Sequence, residues 1–191
     1  MLIQKLVRVW KMKTLLPVIA IGLALLCYAA SAYAQVVAKC WTMVGSDGTV
    51  DQADLSIVAL SSNTAAVRSG VSKGTVDIRY NVVAMDGVFG GDRNTKTLAV
   101  RLADNGPDAQ VIVRLQQLNI STGVITLLEE LNSNDFDPQT TAQRRAILFN
   151  CDKPDFDFAN NVYYVEAQLI KTGPSGTPLI RAIQICNNGV C

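Results

Sequence analysis

Beyond residue 35 the chain alternates apolar and polar positions with a period of two, the spacing of a strand with one buried face. In TVDIRYNVV, Val76, Ile78, Tyr80 and Val82 share one face, and Asp77, Arg79 and Asn81 the other. VYYVEAQLIK places Tyr163, Val165, Ala167 and Leu169 inward, with Tyr164, Glu166 and Gln168 outward; RRAILFNC puts Ile147, Phe149 and Cys151 on one side. Further strands are predicted over 36–44, 56–60, 97–102, 110–118, 124–131 and 179–186. Turn signals separate them at short intervals: SDG at 46–48, FGGD at 89–92, DNGPD at 104–108, STG at 121–123 and TGPSGTP at 172–178. No gap holds a good crossover helix, which disfavours a parallel sheet. The helical candidates are short: 51–60, and DPQTTAQRR at 137–145, where Pro138 can open a turn. About eight or nine strands joined in this way predict an all-β fold, an antiparallel β-sandwich that is immunoglobulin-like or jelly-roll-like.

The N-terminal segment follows a different rule. Residues 14–30 form a mostly apolar run behind Lys5, Arg8, Lys11 and Lys13, and Ser31-Ala32-Tyr33-Ala34 ends in the small-x-small pattern of a signal-peptidase site. Residues 1–34 are therefore expected to be a cleaved signal peptide, and 35–191 a single β-sandwich domain; Met12 is an alternative start that leaves the same mature chain. An uncleaved anchor is the competing reading, but Pro17, Gly22 and the Ala-x-Ala site favour processing. No second apolar stretch is long enough to span a bilayer, so no membrane contact is expected after cleavage. The expected destination is the periplasm or exterior of a bacterial cell.

Removal of the signal changes the charge. The full chain has 17 basic and 16 acidic residues; four basic ones leave with the signal and no acidic one does, so 13 face 16 and the mature net charge is −3. With no basic stretch, nucleic acid is not an expected partner. The stretches AQVIVRLQQLNISTGVITLLEELNSND and NNVYYVEAQLIKTGPSGTPLIRAIQI resemble the later strands of exported bacterial β-sandwich proteins of unassigned function, over residues 109–186. That resemblance implies the fold and export, and carries over no catalytic residue. Tyr163 and Tyr164 also resemble the tyrosine corner of immunoglobulin-like sandwiches, without the accompanying Cys–Trp–Cys spacing.

Four cysteines remain after cleavage, Cys40, Cys151, Cys186 and Cys191, and four allow three pairings. Asn188-Gly189 is a favoured two-residue hairpin turn that would set Cys186 opposite Cys191, leaving Cys40 to Cys151. Structural staples are expected, since no CxxC pair is present.

Histidine is missing throughout, which removes the commonest general base and the commonest zinc ligand. GVFGGD lacks the Lys-Ser/Thr of a phosphate loop. Carboxylates are the remaining catalytic option, but Glu129 and Glu130 should point to opposite faces of a strand and, like Glu166, suit a solvated surface. NSNDFD at 132–137 and DKPDFD at 152–157 place Asp135, Asp137, Asp152, Asp155 and Asp157 in two loops; these are ordinary turn residues, and calcium is the one metal they could suit. No other cofactor is expected. Trp41 shares an alternating face with Val37 and Met43 and reads as core.

These features favour an exported, non-catalytic sandwich acting by surface contact: a structural, adhesive or ligand-binding component whose partner is a protein or glycan at the cell exterior. The alternatives are a carboxylate-dependent glycan hydrolase or lyase, and a subunit of an extracellular filament; an oligomer is compatible with each.

Overall fold

The computed structural model describes residues 39–85, 88–89, 96–149 and 156–187. Among them eleven strands form: β1 (Lys39–Val44), β2 (Thr49–Val50), β3 (Val58–Ser61), β4 (Thr64–Val67), β5 (Gly74–Val82), β6 (Lys96–Asp104), β7 (Ala109–Asn119), β8 (Ile125–Asn132), β9 (Gln139–Leu148), β10 (Asn161–Lys171) and β11 (Leu179–Asn187). The first sheet runs β3-β4-β11-β6-β9, with β1 also paired to β11; the second runs β2-β5-β10-β7-β8. Every pairing is antiparallel.

From β4 onward the chain crosses between the sheets at nearly every connection, pausing only for the β7–β8 hairpin. Counting β4 as the first of eight, the sheets read 1-8-3-6 and 2-7-4-5, the order of a jelly roll. Of the two sandwich types expected from the sequence, the jelly-roll form is the one adopted. Tyr163 does accept a hydrogen bond from the backbone N–H of Asp157 at 2.8 Å, a bond like that of a tyrosine corner, but within this different topology.

The alternation translates directly into the core. Val76, Ile78 and Tyr80 of β5, Val111, Val113 and Leu115 of β7, and Tyr163, Val165 and Leu169 of β10 are buried; so are Leu98 and Val100 of β6 and Ile180, Ile183 and Ile185 of β11. Each such side chain contributes about 1.5–3 kcal/mol by leaving water. Phe89, Phe149, Phe156, Phe158 and Tyr163 gather into an aromatic cluster, with ring centroids 4.6 Å apart for Phe89–Phe156 and 4.8 Å for Phe158–Tyr163.

Three expectations are corrected. The segment 137–145 is not helical but supplies most of β9, because β6 offers its free edge to Gln143, Arg144 and Arg145, and a full ladder outweighs a weak local helix signal. In the segment 51–60 the helical part shrinks to one 3-10 turn, Gln52–Asp54, before β3 begins. Eleven strands appear rather than eight or nine, because β2 has two residues and β4 is the alanine-rich TAAV, neither carrying a strand signal of its own.

The disulfide is a further correction. Cys40 is bonded to Cys186, not to Cys151, and Cys186 is therefore not joined to Cys191. The cause is register: β1 lies antiparallel along β11, which puts Cys40 directly opposite Cys186. Cys151, Cys191 and the Asn188-Gly189 turn lie outside the described residues.

Candidate functional site

The solvent-facing side of the second sheet carries an ordered polar surface built by strand register. Glu166 of β10 stands between Arg79 of β5 and Arg114 of β7, and Arg114 is opposite Glu130 of β8. The next rank places Tyr164 between Asn81 and Gln116, with Leu127 beyond; on the other side Gln168 lies between Asp77 and Ile112. These are outward positions of four neighbouring strands, brought side by side at the ~4.8 Å spacing of a sheet.

Hydrogen bonds lock the ranks together. Arg114 donates through Nε to Glu130 at 2.7 Å and through Nη1 to the Gln168 amide oxygen at 2.7 Å, while Glu166 lies 4.0 Å from the same guanidinium. Gln168 donates to Asp77 at 2.8 Å, Gln116 donates to Glu166 at 2.6 Å, and the Tyr164 hydroxyl donates to Gln116 at 2.9 Å. Partial burial, followed by the negative charge of Glu166, pushes the Tyr164 hydroxyl pKa up, against the opposing pull of Arg79, so it stays a donor at neutral pH. Beside Tyr164 the surface turns apolar: Val162, Leu118 and Ile125 form one rank, and Ile125 and Leu127 are 56% and 51% exposed. The result is a broad face of planar amides, carboxylates and guanidinium groups in fixed orientation, with one half-buried tyrosine at the boundary of an apolar strip.

Asp51, Asp54 and Asp77 bring three carboxylate oxygens within 4.8 Å of one another at the β5 margin of this face. Each is already engaged. Asp51 pairs with Arg79 at 2.9 Å, Asp54 accepts from the Asp77 backbone N–H at 2.9 Å, and Asp77 accepts from Gln168. The cluster thus fastens the β2–β3 connection to β5.

Of the calcium candidates named from the sequence, Asp152 and Asp155 lie outside the described residues. Asp157 caps its own turn, accepting from the backbone N–H groups of Ala159 and Asn160 and from the Asn160 side chain. The Asn160 side-chain bond, opposed by desolvation and aided by the two backbone bonds, holds its pKa below the usual aspartate value. Asp135 sits in the 3-10 turn Ser133–Asp135, and Asp137 offers its backbone carbonyl to Arg145. The cavity of about 240 Å³ beside them is lined by Asp104, Gly106, Pro107, Asn134, Phe136 and Pro138, with neither Asp135 nor Asp137 in its wall. Trp41 is 2% exposed and belongs to the core. Glu130 belongs to the outer lattice, whereas Glu129 stands opposite the core residue Leu115, so the two point apart as expected.

The outward polarity of Asp77, Arg79, Tyr164, Glu166 and Gln168 was visible as alternation. Their assembly with Arg114, Gln116 and Glu130 was not, since neighbours such as Gln168 and Asp77 stand 91 residues apart in the chain.

Fold and surface together define a disulfide-bonded jelly-roll sandwich with an ordered polar face. No family model matches the chain, and no curated protein matches its sequence. Among solved structures it is similar to the C-terminal CBM6 of LamC, a marine laminarinase from Zobellia galactanivorans, with a TM-score of 0.45 at 12% identity over 77% of this chain and 98% of that one. The xylan-binding module CBM15 also gives 0.45 at 12% identity, over 80% and 99%. A cyclase from Fischerella sp. TAU gives 0.43 at 13% identity, over 84% and 80%.

Proposed function

We propose that the protein is an exported, non-catalytic binding module that meets a glycan through the outer face of its second sheet. The observation that carries this reading is the bonded lattice of Tyr164, Gln116, Glu166, Arg114 and Gln168. Planar amide, carboxylate and guanidinium groups held by one another present paired donors and acceptors, the complement of vicinal sugar hydroxyls, and lose little entropy on binding. A tyrosine beside an apolar strip offers a ring face to the C–H side of a sugar. Glu130 and Glu166 lie against the same guanidinium, that of Arg114, and Asp77 accepts from Gln168, an arrangement that suits recognition better than proton transfer.

The test is affinity electrophoresis or calorimetry of the mature chain against a panel of neutral oligosaccharides and polysaccharides. Binding that falls about tenfold or more in Tyr164→Ala and Gln116→Ala, with the melting temperature kept, is the expected result. Turnover of any of these glycans, or binding indifferent to both substitutions, would refute it.

One observation favours the filament reading as a second possibility. β8 is an edge strand of the second sheet, and it exposes Ile125 and Leu127 where charged residues usually guard an edge. Concentration-dependent association that vanishes in Leu127→Lys would place the contact there.

A further inference from the structure

The outer face of the first sheet holds a second feature, on elements separate from the lattice. Thr42 of β1, Ala182 and Gln184 of β11, Ala99 and Arg101 of β6, and Arg144 of β9 line a groove of about 160 Å³. Its floor is made of small groups because register puts Thr42, Gln184, Ala99 and Ala146 in one rank and Val44, Ala182, Arg101 and Arg144 in the next. No carboxylate lines it.

Arg101 and Arg144 are directly opposed across the β6–β9 pair, an arrangement of like charges that costs stability in a sheet. Elsewhere among the described residues, arginines are engaged: Arg68 with the Val58 carbonyl, Arg79 with Asp51, Arg114 with Glu130, and Arg145 with the Asp137 carbonyl. Among the described residues Arg101 and Arg144 have no such partner, and neither has the exposed Arg181 in the β-bulge beside Ala182. Three guanidinium groups without a partner among the described residues therefore sit on adjacent strands of a mature chain that carries a surplus of acidic residues overall.

We propose that this groove binds the carboxylate of a uronic-acid unit in an acidic polysaccharide. Two guanidinium forks facing one space match a planar carboxylate, and its negative charge relieves their mutual repulsion. The methyl groups of Thr42, Ala99 and Ala182 accept the apolar side of the ring, and Gln184 supplies an amide for its hydroxyls. The groove has room for about one ring and lacks the long basic track that a nucleic acid or a lipid surface requires. This site does not depend on the glycan reading of the opposite sheet.

The experiment titrates the mature chain with a defined-length oligogalacturonate and, in parallel, with its fully methyl-esterified form, which keeps the sugar backbone and removes the charge. Binding of the acid but not the ester, weakened by salt and reduced about tenfold or more in Arg101→Gln and in Arg144→Gln, is expected. Arg144→Glu creates an opposite-charge pair with Arg101, so it should abolish binding while raising the melting temperature. That combination separates a ligand role from a structural one. No binding of the acid, equal binding of acid and ester, or binding unchanged in the two glutamine variants would overturn the proposal. Equal binding would do so while leaving the neutral-glycan reading of the second sheet intact.

Discussion

Tyr80 lies in the core with its hydroxyl donating to the Gly45 carbonyl at 2.7 Å, tying β5 to the turn that follows β1. Burial, and then the charge of Asp47, push its pKa far above the ordinary tyrosine value. Tyr80→Phe leaves that carbonyl without its partner and should cost about 1–3 kcal/mol in urea unfolding. The linkage has a definite sign. The folded pKa is raised, so the stabilisation is complete below the unfolded value of about 10 and is lost as pH climbs above it. The phenylalanine variant should therefore lose less stability than the parent between about pH 9 and about pH 11, a window set by that value. Asp157 behaves in the opposite sense. Its lowered pKa means that its stabilising contribution is present above the ordinary aspartate range and lost as pH falls through the folded value. Melting temperatures of Asp157→Ala and the parent should accordingly differ at neutral pH and converge in acid; a gap that persists in acid would count against this account.

Elements were legible to the extent that they alternate. β5 and β10 bury the residues the sequence assigned inward, Tyr80 and Tyr163 among them. β9 was partly misread because an edge strand with Thr140, Gln143 and Arg144 facing solvent lacks an apolar stripe, and its strand form depends on the ladder with β6. The β1–β11 pairing shows the same dependence on a distant partner. Cys40 and Cys186 are 146 residues apart, whereas the turn chemistry around Asn188-Gly189 speaks only for its immediate neighbours. By loop entropy the bridge should contribute about 5 kcal/mol, so Cys40→Ser with Cys186→Ser is expected to lower stability substantially. Chemical denaturation of that double variant beside the parent checks this. Gly45 is constrained in another way: a Cβ there would lie 2.2 Å from the Ile180 backbone oxygen. Gly45→Ala should therefore cost about 1–3 kcal/mol by forcing β11 and the turn apart.

At the scale of the molecule, no helix among the described residues is long and apolar enough to cross a membrane. Cleavage after Ala34 would leave only Gln35, Val36, Val37 and Ala38 ahead of β1, so export should deliver a chain that begins almost at its first strand. Intact mass and N-terminal sequencing of protein recovered from the periplasm or medium of a bacterial host should show Gln35 first; a retained residue 1–34 segment would refute the signal reading. The two broad faces of the sandwich invite separate tests, since one carries a bonded lattice of carboxylate, amide and guanidinium groups and the other an arginine cluster with no partner among the described residues.

Alternation, turn residues and the lack of histidine were enough to determine an all-β sandwich and to disfavour the common imidazole chemistries, because periodicity and composition are local properties of the chain. The choice of jelly roll, the Cys40–Cys186 bridge, the Tyr164–Gln116–Glu166–Arg114 lattice and the opposed arginines were decided only in three dimensions. Each depends on which strand lies beside which and in what register. In a fold whose chain crosses between sheets at almost every turn, those neighbours are remote in sequence, so the alternation that tells which way a side chain points leaves open what it will meet.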